Sequence, residues 1–327
     1  MATTHDAKQA MTILVGYDGS DCAAEAIKDL SRAGLPETGA AVVVALANST
    51  TIPVAAYSPA VASVGDFTWA TPAVWQELVD DAKKDAERTA DAGAALLKSV
   101  LPGWDVSISH DIDSPYRALI EEAQARQADL IVVGTHGRSA LGRLALGSTS
   151  QFVLTHAHCS VRVARHSETA PGSPLRLLVC VDGSAGSYAA AREVARRHWP
   201  AGTEARLIAA VDLQLAAVLR RGHHADRKRS MTTPTAVIEI ASQELRGSSL
   251  IITPVVEQGD PKQVIVDEAA RWGADSIFLG ATGHGRLERF LLGSVSAAVA
   301  ARASCSVEVV RVISNPSGGR PASFASR

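Results

Sequence analysis

The chain repeats itself, and that repeat limits what it can fold into more than any other feature. Ile13-Leu-Val-Gly-Tyr-Asp-Gly-Ser20 returns as Leu177-Leu-Val-Cys-Val-Asp-Gly-Ser184, an offset of 164 residues. Asp129-Leu-Ile-Val-Val-Gly134 returns as Asp275-Ser-Ile-Phe-Leu-Gly280, and Cys159-Ser-Val-Arg-Val-Ala-Arg165 returns as Cys305-Ser-Val-Glu-Val-Val-Arg311, both at an offset of 146. The second copy is thus 18 residues shorter between these landmarks. Two copies in 327 residues make two domains of ordinary size, each able to bury its own core. The expected division is a flexible N-terminus at 1–10, a first domain at 11–166, a linker at 167–174, a second domain at 175–312 and a disordered tail at 313–327. Linker and tail are read from their Ser, Gly and Pro content.

Within each copy, short aliphatic runs alternate with longer helical patterns, the signature of βαβ units on a parallel sheet. The expected strands are 12–17, 40–47, 105–110, 129–134 and 160–164, then 176–181, 205–211, 250–256, 275–280 and 306–310. In the first copy the helices fall near 21–33, 72–99, 115–126 and 148–157, with Thr71 as N-cap before Pro72. The shortening of the second copy lies in its second crossover, 212–247. Unalternated runs such as Ile131-Val-Val and Ile277-Phe-Leu suit strands covered on both faces. The fold class is therefore α/β, with two repeated open, mostly parallel five-stranded sheets flanked by helices.

One motif follows the fourth strand of each copy. Gly134-Thr-His-Gly137 is followed after nine residues by Gly147-Ser148, and Gly280-Ala-Thr-Gly283 after nine residues by Gly293-Ser294. In an open α/β sheet ligands bind beyond the carboxyl ends of the strands where the strand order reverses. Gly134 and Gly137 are expected to turn with positive φ and lie close to a ribose or phosphate. Gly147 and Ser148 open a helix whose free N–H groups suit phosphate oxygens.

The frame G-x2-G-x9-G-[ST], doubled and joined to Asp-Gly-Ser after the first strand and Cys-Ser-Val at the last, resembles the ATP-binding universal stress proteins. The resemblance covers nearly all of both halves. It implies the adenine nucleotide alpha hydrolase-like fold, with strand order 3-2-1-4-5 and a crevice between strands one and four. It also implies ATP, or ADP or AMP, in each domain, with Mg2+ held mainly by the phosphates. By the same resemblance Asp18 lies near the adenosine, Gly134, Gly137 and Gly147 surround ribose and phosphates, and Ser148 meets a phosphate. Ala47 ends strand two and by position offers its backbone to adenine. Asp182, Val211, Gly280, Gly283, Gly293 and Ser294 repeat these roles. The two halves are expected to pack as a pseudo-dimer through their last strands, as hydrophobic edge strands need cover. Whole chains have homodimerisation as a further option.

Several residues carry a second reading. Asp18 and Asp182 also suit an Asx turn with the following Gly-Ser. Ser148 with Gln151 also suits a capping box, although Ser294 has Ala297 at that place. Arg143 and Arg289 occupy the same place in each motif and either touch a phosphate or stand solvated on a loop. His156-Ala-His158-Cys159 gathers ligand-type residues, but the second copy keeps only Cys305, and structural zinc takes four ligands.

The sequence has no G-x4-G-K-[ST], no G-x-S-x-G and no H-E-x-x-H, so the P-loop, the hydrolase elbow and the zincin helix are excluded. A formal charge of -2 gives no electrostatic footprint for nucleic acid. No apolar run reaches membrane-spanning length, and the polar start lacks a signal-peptide core, so the expected location is the cytoplasm, with no membrane partner. Four cysteines without a CxxC pair read as buried or half-buried thiols. The function expected is a nucleotide-dependent stress-response regulator or sensor. Slow ATP hydrolysis or phosphoryl transfer on the same fold is the alternative, and no catalytic or metal-ligating residue is assigned.

Overall fold

Each aliphatic run becomes a strand in the computed structural model, which describes residues 10–46, 72–111, 115–136, 146–211, 233–283 and 292–312. The first half places β1 (Thr12–Tyr17), β2 (Ala40–Leu46), β3 (Asp105–Asp111), β4 (Leu130–Gly134) and β5 (Ser160–Ala164). Between them run α1 (Asp21–Asp29), α2 (Pro72–Val100), α3 (Pro115–Ala125) and α4 (Ser148–His156). The second half has β6 (Arg176–Cys180), α5 (Ala185–Arg196), β7 (Glu204–Val211), α6 (Pro234–Glu244) and β8 (Ile251–Gln258). It ends with α7 (Pro261–Trp272), β9 (Ser276–Gly280), α8 (Ser294–Arg302) and β10 (Ser306–Val310). The shortened crossover shows as α6 with 11 residues where α2 has 29. The expected N-cap Thr71 and the tail 313–327 lie outside the described residues.

Instead of two separate sheets there is one, in the order β3-β2-β1-β4-β5-β10-β9-β6-β7-β8. Each half keeps the order 3-2-1-4-5 with parallel neighbours, and β5 joins β10 antiparallel. The reason lies in the alternation of those two strands, since successive side chains point to opposite faces. Val161, Val163, Val307 and Val309 are fully buried in a core that runs without interruption across both halves. A strand so apolar cannot stay an open edge. The other sheet face carries a separate core for each half, one around Ile13, Val15 and Leu97 and one around Leu177, Leu207 and Phe278.

Between those two cores, on the second face of the joining strands, lies charge. Arg162 is 0% exposed and donates through Nε to Asp29 Oδ2 at 2.6 Å and through Nη2 to Ser276 Oγ at 2.9 Å. Its Nη1 meets Glu308, also 0% exposed, at 3.4 Å. Arg197 reaches the same Glu308 and also Glu193, and Arg32 stands beside Asp29. Arg162, Asp29 and Glu308 thus neutralise one another away from water, with Arg32 and Arg197 beside them and the half-buried Glu193 at the margin. Burial works to depress the Arg162 pKa, but Asp29 and then Glu308 overcome it and hold the guanidinium above its ordinary value.

The cysteines follow their expected burial. Desolvation pushes the Cys159 and Cys305 thiols up to about 12 and raises Cys180 as well, while Cys22 is half-buried at the start of α1. Because the thiolate is the nucleophile, a thiol reagent at mildly alkaline pH should label Cys22 rapidly and the other three only on unfolding. Rapid labelling of two or more cysteines in the folded protein would contradict this packing. No helix among the described residues is long and apolar enough to cross a membrane.

Candidate functional site

The strand order reverses between β1 and β4, and again between β6 and β9, because each first strand is flanked by its second and its fourth. Asp18 and Asp182 stand just past the carboxyl ends of β1 and β6. Both form the Asx turn that was one of their two readings. Asp18 Oδ1 accepts from the Ser20 N–H at 3.0 Å and from its hydroxyl at 2.6 Å, and Asp182 Oδ1 accepts from the Ser184 N–H at 3.0 Å. Gly19 and Gly183 take φ values of +77° and +85° to make this turn, which a β-carbon would disfavour. The turn aims Ser20 and Ser184 to cap α1 and α5, accepting from the Ala23 and Ser187 N–H groups at 3.2 Å.

The motif glycines act differently from expectation. Gly134, Gly280 and Gly283 do not adopt positive φ; among the described residues that conformation belongs to other glycines and to Gln127. They are required by close approach. A β-carbon on Gly134 would stand 2.8 Å from the Cys22 carbonyl oxygen, and one on Gly280 would stand 2.5 Å from the carbonyl carbon of Gly186. Strands β4 and β9 therefore end against the backbone of the first turns of α1 and α5. A β-carbon on Gly283 would lie 2.6 Å from Asp182 Oδ2. The motif of β9 and the acidic residue of β6, far apart in sequence, do meet at one place.

Helices α4 and α8 are preceded by Gly147 and Gly293, which occupy the N-cap positions and offer no side chain. The capping box considered for Ser148 and Gln151 is corrected by this: Ser148 is the first helical residue and is exposed, as is Ser294. The other α-helices with described N-caps, α1, α5, α6 and α7, are closed by Ser20, Ser184, Thr233 and Asp260. Only α4 and α8 among these present a bare N-terminus, each at the crevice end of its sheet.

Two residues that sequence reasoning missed hold those helices in place. The Ser150 hydroxyl donates to the Gly134 carbonyl at 2.6 Å, and Ser296 to the Gly280 carbonyl at 2.7 Å. Backbone bonds from Gly147 to Thr135 and from Gly293 to Ala281, both at 2.7 Å, close each loop at its base. The signal was available, since both copies read Gly-Ser-x-Ser at this point. His136 has its Nε2 buried without a hydrogen-bond partner, and Thr282 takes its place in the second half. Val211 ends β7, and its carbonyl already accepts from the Gly259 N–H at 3.0 Å. Ala47, Gly137, Arg143 and Arg289 lie outside the described residues.

Of the residues once weighed for zinc, His156 stacks on Phe152 at 3.9 Å between ring centroids. Burial, then the charge of Arg311, lowers the His158 pKa. No group of three or more His, Cys, Asp or Glu among the described residues is placed to hold a metal ion.

The fold and these two crevices define a tandem, doubly wound α/β protein with the same kind of site in each half. Its sequence matches the profile of the universal stress protein family over residues 10–165 and 175–311, and the chain belongs to that family. It is 28% identical to a universal stress protein of Mycobacterium tuberculosis over 259 residues, 75% of this chain and 80% of that one. A universal stress protein of Mycolicibacterium smegmatis is 30% identical over 204 residues, covering 61% of this chain and 66% of the relative, just under two thirds of its length. Among solved structures, a universal stress protein from Archaeoglobus fulgidus superposes with a TM-score of 0.61 at 19% identity, over 93% of this chain and 97% of its own. At that identity the likeness speaks to the fold.

Proposed function

We propose that the protein binds an adenine nucleotide in each half and acts as a nucleotide-dependent stress-response regulator. The observation that supports this most directly is the pair of bare helix N-termini at Gly147 and Gly293. The N–H groups of the first turn, which receive no side-chain cap from Gly147 or Gly293, and the positive dipole end suit phosphate oxygens. The neighbouring groups fit such a ligand: strand ends without β-carbons at Gly134 and Gly280, a half-buried Asp18 and exposed Asp182 at the crevice, and exposed hydroxyls on Ser148 and Ser294. In this reading Asp18 and Asp182 turn their carboxylates toward the nucleoside. Ala47 and Val211 approach adenine through their backbones. Gly137, Gly283, Arg143 and Arg289 border the phosphates, and Mg2+ would be held mainly by the phosphates. The domain limits 11–166 and 175–312 are proposed with it, as are cytoplasmic location and homodimerisation of whole chains.

Calorimetry with ATP, ADP, AMP and cyclic AMP tests the proposal. AMP is bound in the solved structure of an Arabidopsis thaliana family protein, and another universal stress protein is in complex with cAMP. Binding of two nucleotides per chain is expected, with Gly147→Val and Gly293→Val each removing one of them. A valine there sets a branched side chain at the mouth of α4 or α8, and on Gly293 the β-carbon alone would lie 3.1 Å from the Ala281 carbonyl oxygen. No heat from any of the four nucleotides would refute the reading. Phosphate release that disappears in both variants would favour the alternative, slow hydrolysis or phosphoryl transfer.

A further inference from the structure

The seam between β5 and β10 is close to two-fold symmetric, and its departures from symmetry are complementary. Positions 146 apart are equivalent here. Arg165 donates from its backbone N–H to Ser306 Oγ at 2.9 Å and through Nη2 to the Ala300 carbonyl at 2.6 Å. Its equivalent, Arg311, donates from its N–H to Ser160 Oγ at 3.2 Å and through Nη2 to the Leu154 carbonyl at 2.7 Å. Ser160 and Ser306 are equivalents, as are Leu154 and Ala300. Such reciprocity is the mark of an isologous contact.

On the axis of an isologous contact a residue faces its own equivalent. The strand register places Glu308 opposite Arg162, which are such equivalents. Identical halves would set two like charges against each other here, at a place where both side chains are fully buried. This chain instead carries an arginine in one half and a glutamate in the other. The flanking groups are matched to that choice. Asp29 supports Arg162 from its own half, while Ser276 meets it from the other half, where the equivalent first-half residue is Leu130.

A second asymmetry is steric. The Trp199 ring of the second half lies over Gly34 of the first, where an added β-carbon would stand 2.7 Å from the indole. The residue equivalent to Gly34, 164 positions on, is His198. A pair of second halves would therefore offer the indole a side chain where it now meets none.

We propose that the seam is a hetero-specific docking surface. The edge of the first half accepts only a second half, and the residues at 162 and 308 reject pairing of either half with a copy of itself. Two first halves would bury Arg162 against Arg162, and two second halves would bury Glu308 against Glu308 and Trp199 against His198. Specificity of this kind works through the penalty on the wrong partner. It keeps neighbouring chains from joining like edges and leaves closure within one chain, across the short linker, as the favoured pairing.

The test uses full-length chains carrying two different affinity tags. The R162E chain sets two glutamates face to face at the centre of its seam, and the E308R chain sets two arginines there, so each should reject its own closure. Each alone is expected to yield about ten-fold less soluble protein than the wild type, or to melt roughly 5 °C or more below it. Co-expressed, the two chains can restore an arginine–glutamate pair at both seams by exchanging halves. A soluble complex with both tags in equal amounts should then be recovered, judged against co-expressed wild-type chains that report any other association. Wild-type yield and melting for either variant alone would overturn the proposal. So would co-expression that recovers no more complex than the single variants do.

Discussion

Replacing Arg162 with methionine is expected to lower the unfolding free energy by about 3–5 kcal/mol, because it removes the cation that two buried carboxylates share. Asp29 loses the Nε donor at 2.6 Å and Glu308 loses the Nη1 contact at 3.4 Å, and both acids are buried. Asp29 keeps the Ser306 hydroxyl at 3.0 Å and Glu308 keeps Arg197, so the loss is expected within that range and not beyond it. Methionine has nearly the length of the arginine stem, which separates the loss of charge from the loss of volume. A suitable control is Arg126→Met, which breaks an exposed helical pair with Glu122 and should change stability by about 0–1 kcal/mol. Urea unfolding followed by circular dichroism measures both. If Arg162→Met fell within the control's range, the buried cluster would have to be read as energetically idle.

Gly280→Ala is the second change expected to act strongly. Its β-carbon would lie 2.5 Å from the Gly186 carbonyl carbon and 2.8 Å from the Ser187 nitrogen. Both are backbone atoms of the first turn of α5, which cannot rotate away as a side-chain tip can. Overpacking of this kind costs about 1–3 kcal/mol and sometimes more. The expected response is to push α5 away from β9, lowering the melting temperature and weakening the second site together. Gly283→Ala provides the contrast, since its β-carbon would meet Asp182 Oδ2, a side-chain atom and not backbone. That variant should melt close to the wild type while weakening nucleotide binding in the second half. Equal melting temperatures for Gly280→Ala and the wild type would show that α5 has room to yield.

The two variants also show where sequence reasoning reached and where it stopped. That Gly134 and Gly280 matter was legible from the doubled motif. Why they matter was misread: positive φ was expected, whereas the constraint is a helix start pressed against the strand end. A sequence shows which residue lacks a β-carbon, but the atom that would collide with one belongs to a segment about a hundred residues away. Ser148 presented the same difficulty. Its capping box with Gln151 was consistent with local spacing, yet the N-cap falls one residue earlier, on Gly147. The Asx turns of Asp18 and Asp182, by contrast, involve atoms two residues apart, and local pattern found them.

The repeat, the strands and most helix limits were written in the sequence, because hydrophobic periodicity and turn residues act over a few neighbours. Family membership was equally legible, since it rests on motifs that recur intact in both halves. That the halves meet through their last strands was expected as well; what only the tertiary structure decided is the register of that join, which sets Arg162 against Glu308. Arg162 and Glu308 look like ordinary exposed charges on short strands, and nothing within ten residues of either names the other. Antiparallel pairing of β5 with β10 turns both inward on one sheet face. There the low dielectric makes their mutual neutralisation obligatory, while the same pairing sets the valines of the opposite face into one shared core.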